Sequence, residues 1–495
     1  MFENIKIIFV NPRILFLKNI GVRQTIVKNT FWLTVAEVIT QILKLVLIIY
    51  TARILGAIEY GKFSFALSFV AIAVIFSELG LPDIITRELS RNQNLEKEYS
   101  SIISLKVFLS IAMMLLIYIV SFFITSDPVI RSSIWLLSYF ILITSFLNIL
   151  YAFFRARQKM EYEAISKIIQ YIILTSFGFL VLLLAPSIKN LSYAYLITNL
   201  AVLILILFFF NRFVSPLRIS YDKKVWKKYL KSSWPLAGGL IISWIYVSVS
   251  SIMLGYFGYN IENGWYNAAY KIIGAIAISA VLISRSFFPV LSKFSIESKE
   301  KIKKVWNYQK ELMIIFAFPI IIGGIVLAPK IISFFYDSSY YPSIFAFQLL
   351  VFVSGVDFLY YPYASALIIF NHEKRNFGLI IIGLIISIIL NIFLIPRYTL
   401  YGAATSVLIS SVIVLLLAII ATRIYTPIRP FNAEMLKTFV AVIFSGLVMF
   451  FLISMPKIYN LNFILVIIIG MISYFLVLFA CYKTLRINKL LSPWI

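Results

Sequence analysis

The chain has 495 residues, 62% hydrophobic and 13% charged, with 44 Lys and Arg against 20 Asp and Glu and a formal charge of +24. Soluble domains carry about a quarter charged residues, so this balance excludes a soluble globular enzyme, while one cysteine (Cys481) and one histidine (His372) exclude an intrachain disulfide and a His/Cys zinc site. The positive surplus is not a nucleic-acid surface, because the basic residues lie in short segments between apolar runs instead of on one soluble face.

Residues 1–25 mix short apolar stretches with Lys6, Arg13 and Lys18 and lack the uninterrupted core of a secretory signal, so they read as a cytoplasmic segment. A bilayer core about 30 Å thick needs roughly 20 apolar residues per helix. Runs of that kind follow at 26–50, 62–82, 104–124, 133–153, 166–185, 191–211 and 234–256. Seven more lie at 265–288, 311–328, 343–370, 376–395, 401–422, 435–454 and 460–482. The expected fold is an all-α integral membrane protein with about 14 transmembrane helices.

Basic residues concentrate on the cytoplasmic side of membrane proteins. With the N-terminus inside, 34 Lys and Arg fall in the cytoplasmic segments and the run ends adjoining them, and seven in the opposite loops and run ends: Arg53, Lys62, Arg131, Lys189, Lys330, Arg397 and Lys457. Both termini are therefore expected to face the cytoplasm. Every outer loop is short, so function is expected inside the helical bundle.

A faint repeat runs through the chain. Lys28-Asn29-Thr30-Phe31-Trp32 opens the first run and Lys231-Ser232-Ser233-Trp234-Pro235 the seventh, 203 positions later; at the same offset Gly61 and Ala66 map onto Gly264 and Ala269. This spacing predicts two pseudo-symmetric six-helix bundles, 26–212 and 213–425, related by an axis along the membrane normal. The remaining residues, 426–495, are then an additional helix pair and a cytoplasmic tail.

Ionisable groups at mid-span cost at least about 2.5 to 3.5 kcal/mol each, so they mark partners or a hydrated path. In the first run Thr34, Glu37, Gln41 and Lys44 share one helical face, expected to point into the protein, with Glu37 and Lys44 ~10 Å apart along the axis. In the eighth, Asn267, Lys271 and Arg285 place two cations on roughly one face, ~21 Å apart in depth. Glu78 ends the second run, Asp357 sits in the tenth ahead of Tyr360-Tyr361-Pro362, and Arg53 flanks the outer end of the first helix pair. These nine residues, Glu37, Gln41, Lys44, Arg53, Glu78, Asn267, Lys271, Arg285 and Asp357, are the candidate substrate path. The bland alternative is that Lys44, Lys271 and Arg285 simply neutralise Glu37, Glu78 and Asp357. No cofactor is expected.

The segments Lys28-Asn29-Thr30 to Glu37, Ala52-Arg53-Ile54-Leu55-Gly56, Glu59-Tyr60-Gly61, Glu78-Leu79-Gly80-Leu81 and Arg87-Glu88-Leu89-Ser90-Arg91 resemble the opening of the polysaccharide repeat-unit (O-antigen, Wzx/RfbX-like) flippases. That family is grouped with multidrug (MATE) transporters and the lipid II flippase MurJ. The resemblance implies alternating-access transfer of a polyprenyl-pyrophosphate-linked oligosaccharide from the cytoplasmic to the outer leaflet of the cell membrane. It also implies a cationic cavity, to which Lys44, Lys271 and Arg285 could contribute, with Arg53 near its outer rim. The implied partners are the bilayer, the lipid-linked cargo, protons or sodium ions as coupling ions, and glycan-assembly proteins. Two other readings stand beside it: a MATE-like antiporter binding organic cations through Glu37, Glu78 or Asp357, and a membrane glycosyltransferase or polymerase. The second is disfavoured by the short loop 51–61, whose only acid is Glu59.

Overall fold

The computed structural model describes residues 21–91, 98–213, 219–429 and 433–484; the expected cytoplasmic segment lies outside them except for 21–25, as does the tail beyond 484. The described residues form helices and connecting turns, with no strand among them.

The helices are α1 (Val22–Glu78), α2 (Leu81–Arg91), α3 (Tyr99–Ile124), α4 (Pro128–Ala156), α5 (Met160–Leu184), α6 (Ile188–Phe213) and α7 (Lys223–Tyr256). They continue as α8 (Asn260–Glu297), α9 (Lys299–Phe335), α10 (Ser343–Ile369), α11 (Glu373–Tyr425), α12 (Ala433–Ser454), the short α13 (Pro456–Tyr459) and α14 (Phe463–Thr484). Among the described residues, 12 helical stretches are long and apolar enough to cross a membrane. The chain is thus a multi-pass, all-helical membrane protein.

The difference from the expected fourteen falls on the two longest helices. The 57 residues of α1 would extend about 85 Å and the 53 residues of α11 about 80 Å, each more than twice the thickness of a bilayer core. Each is broken once. Gly56 (φ 70, ψ 171) interrupts α1 in a conformation that only glycine adopts without strain. Thr399 (φ 47, ψ −121) interrupts α11. There the chain doubles back, because a Cβ on Gly402 would land 2.5 Å from the carbonyl carbon of Leu394 and 3.0 Å from the nitrogen of Ile395, whereas eight residues of continuous helix span about 12 Å.

Contacts divide the chain into two compact units, Met1–Ser248 and Val249–Ile495. In the first, α2 is a short amphipathic helix whose Leu81, Ile84, Ile85 and Leu89 are buried while Asp83 and Arg87 are exposed. Its apolar face packs with Ile102, Leu150, Phe153, Phe154, Phe210 and Tyr229 from α3, α4, α6 and the start of α7. At the other end of α4, Asp127 caps the helix by accepting from the N–H of Val129 (2.8 Å) and pairs with Lys62 (3.1 Å). Burial alone would raise the Asp127 carboxyl; hydrogen bonds from Lys62, Val129 and Ile130 outweigh it and hold the group below the usual carboxylate range.

In the second unit α10 packs against α8, α9 and α11. Close approach requires the absence of a side chain at Gly355, whose Cβ would meet Ile321 Cγ1 at 2.7 Å. Trp306 of α9 is buried and donates its indole N–H to the carbonyl of Pro362 at 2.8 Å. The pair α12 and α14 packs on α9 through Val442, Met449, Val466 and Tyr474, whose hydroxyl donates to Ile315 O at 2.9 Å.

Candidate functional site

In the first unit the polar stripe of α1 lies on one face, as its spacing requires, but that face is turned out of the unit's own core. Glu37 is exposed and Gln41 and Lys44 are half-buried, while Ala36, Thr40, Leu47 and Thr51 are buried. The apolar face wins the interior because burying it against α5 removes more nonpolar area from its surroundings than a face carrying two charges could. Gln41 Nε2 donates to Glu37 at 2.8 Å. Lys44 makes no hydrogen bond or ion pair among the described residues. Arg53 is exposed three residues before Gly56.

Glu78 ends α1, and Leu79 (φ 46) and Gly80 (φ 68) form the break before α2. The carboxylate is partly buried and accepts from Asn148 Nδ2 of α4 at 2.6 Å. Behind it lies Lys106 of α3, fully buried. Its ammonium donates to Ser77 O at 2.8 Å, to Ser77 Oγ at 3.3 Å and to Ser145 Oγ, one acceptor for each of its three hydrogens. Ser77 and Ser145 are themselves 2.8 Å apart. A cavity of about 10 Å³ adjoins this cluster, lined by Ser77, Ser110 and Ser138 among apolar side chains. Deeper in the unit, Asn199 is buried and accepts from Gln170 (2.7 Å) and Thr144 (3.1 Å).

Sequence reasoning missed this cluster, because Lys106 stands two residues inside the run starting at 104 and counts naturally with the cytoplasmic loop. Lys310, one residue before the run at 311, also counts with a loop. It is buried in α9 with its ammonium 3.9 Å from the centre of the Trp306 ring. Both belong to the helical interior of their units and leave the loop tally.

The second unit holds the other four candidates. Asn267 is buried, donating to Ser251 Oγ (2.9 Å) and to Asn263 Oδ1 (2.8 Å). Lys271 is half-buried one turn further along α8. Arg285 is exposed and Asp357 half-buried; they form no ion pair with each other, yet both act electrostatically on the phenol of Tyr361. Within the first unit no ion pair joins Lys44 to Glu37 or Glu78, and within the second none joins Arg285 to Asp357.

One packing motif occurs in both units. In the second, Ser284 of α8 and Ser365 of α10 are 3.0 Å apart, and Gln309 of α9 donates to Ser284 Oγ at 3.4 Å. In the first, Ser77, Ser145 and Lys106 occupy the corresponding helices. Lys106 and Gln309 are separated by 203 positions, the offset of the loop motifs. Only that pair keeps the offset, Ser77 and Ser284 standing 207 and Ser145 and Ser365 220 positions apart, and the donor is charged in one unit and neutral in the other.

No group of three or more His, Cys, Asp and Glu residues placed to hold a metal occurs among the described residues. A family model described as polysaccharide biosynthesis protein matches residues 26–295, more than half the chain. The chain belongs to the polysaccharide biosynthesis protein family. Among solved structures, this family member is similar to the lipid II flippase MurJ in an inward closed conformation, with 18% identity and a TM-score of 0.77 over 92% of this chain and 99% of that one. It is also similar to an inward-facing multidrug resistance MATE family transporter of the MOP superfamily (13% identity, TM-score 0.65, 78% and 94% covered). A third likeness is to a MOP superfamily transporter from Pyrococcus furiosus described as having a binding pocket of reverse polarity (13%, 0.56, 81% and 95%). At these identities the likeness establishes a shared fold. No curated protein sequence matches the chain.

Proposed function

We propose that the protein is a flippase that moves a polyprenyl-pyrophosphate-linked oligosaccharide from the cytoplasmic to the outer leaflet of the cell membrane by alternating access. The observation that carries this reading is membership of a polysaccharide biosynthesis family by a chain built of membrane-crossing helices. A diphosphate and a sugar cannot enter hydrocarbon unaided, so a polysaccharide pathway needs a protein that supplies a polar path while lipid tails stay outside. Similarity to the fold of a lipid II flippase supports the same class of cargo.

In this reading Lys44, Lys271 and Arg285 attract the diphosphate, Arg53 meets it near the outer rim, and Gln41 and Asn267 offer hydrogen bonds. Glu37, Glu78 and Asp357 keep the path from being simply cationic, and one of them couples transport to protons or sodium. Both termini face the cytoplasm, the two bundles 26–212 and 213–425 alternate, and glycan-assembly proteins supply and receive the cargo.

The MATE-like fold supports a second reading, export of organic cations. Gene deletion separates the two. Loss of surface glycan with accumulation of lipid-linked precursor is the expected outcome; unchanged glycan with new drug sensitivity overturns it.

A further inference from the structure

Resting on the flippase reading, the Glu78 cluster suggests what that residue recognises. The carboxylate belongs to the last residue of α1, where the chain breaks before the amphipathic α2. One oxygen, Oε1, is fixed by Asn148; Oε2 makes no hydrogen bond among the described residues. Of the charged groups acting on the carboxylate Lys106 is the foremost, and it is of opposite sign. Lys106 is held in place by three oxygen acceptors and is buried beyond reach of a ligand.

We propose that Glu78 is the acceptor for hydroxyl or amide hydrogens of the cargo's sugar, positioned by Asn148 and electrically balanced by Lys106. An isolated carboxylate would repel the diphosphate of the same molecule or demand a cation. A balanced one does neither, yet it retains the stronger hydrogen bond of an ionised acceptor. Lys106 and Asn148 are positioning residues: the first fixes the local charge, the second the orientation.

The test uses the full chain in nanodiscs and two probes, undecaprenyl pyrophosphate and the lipid-linked oligosaccharide extracted from the deletion strain, with binding measured by native mass spectrometry. Wild-type protein is expected to prefer the glycosylated lipid. Glu78→Gln should lower that preference about tenfold, because a neutral amide oxygen accepts roughly half as strongly, without weakening the bare lipid. Asn148→Ala should lower it in the same direction, which a merely structural role would not do, since loss of fold weakens both probes alike. An unchanged preference in both variants, an equal loss for both probes, or an effect that disappears when sodium is replaced by potassium overturns the proposal. Wild-type protein that binds neither probe overturns the flippase reading instead.

Discussion

Lys28 and Glu161 are 2.9 Å apart, with side chains 1% and 10% exposed, and tie the start of α1 to the start of α5. Beside them Asn29 Nδ2 donates to Gln158 Oε1 at 2.7 Å, across a turn in which Gln158 takes φ 57. At an effective dielectric of ~20, unit charges at this distance attract by about 6 kcal/mol, much of which offsets their desolvation. Removing one partner leaves the other charge buried and uncompensated, at a cost of about 3 to 5 kcal/mol, whereas removing both leaves no such charge. Lys28→Met and Glu161→Met should therefore each lower the midpoint of heat-induced loss of the monodisperse peak in detergent, by on the order of 10 °C at 2 to 4 °C per kcal/mol. The double variant Lys28→Met/Glu161→Met should recover more than half of either loss. A double variant whose loss equals the sum of the singles would refute the argument that the pair acts as a unit.

Gly402→Ala drives a methyl group into the backbone of Leu394 and Ile395 and should destabilise by at least about 2 kcal/mol, whereas Gly378→Ala, in the same helix with open space around it, should be near neutral; melting both variants checks the turn at Thr399. Asp127→Ala removes a helix cap and the Lys62 pair and should cost about 1 kcal/mol at neutral pH. Because the native carboxyl is held below its ordinary value, its contribution is present above the unfolded pKa of about 4 and is lost as pH falls through the native one. The gap in melting temperature between wild type and variant should then close toward pH 3.

The crossings were legible because a bilayer tolerates only long apolar helices, so hydropathy alone locates them. Helix ends were not: α9 begins at Lys299, twelve residues before the run at 311, and α8 continues to Glu297, nine past 288. Helices that leave the membrane while still packed have no hydropathy signature, and this is why Lys310 counts with a loop; Lys106, just inside the run at 104, counts there because a lysine at the edge of a run reads as its boundary. Periodicity grouped Glu37, Gln41 and Lys44 correctly on one face but could not say what that face meets. Ser77 and Ser145 lie 68 positions apart in apolar runs, and nothing local marks them as partners. Arg285 and Asp357 were visible as two separate charges, but their common effect on Tyr361 depends on how α8 and α10 pack.

Reconstitution tests the central claim most directly. Purified protein is placed in liposomes carrying the lipid-linked oligosaccharide in both leaflets, and a membrane-impermeant glycosidase or lectin reports the fraction reachable from outside. The account predicts that protein converts a plateau near half into progressive access to all of the glycolipid, and that Arg285→Ala and Lys271→Ala slow this conversion. A plateau that stays at half, with active uptake of an organic cation by the same vesicles, would contradict it.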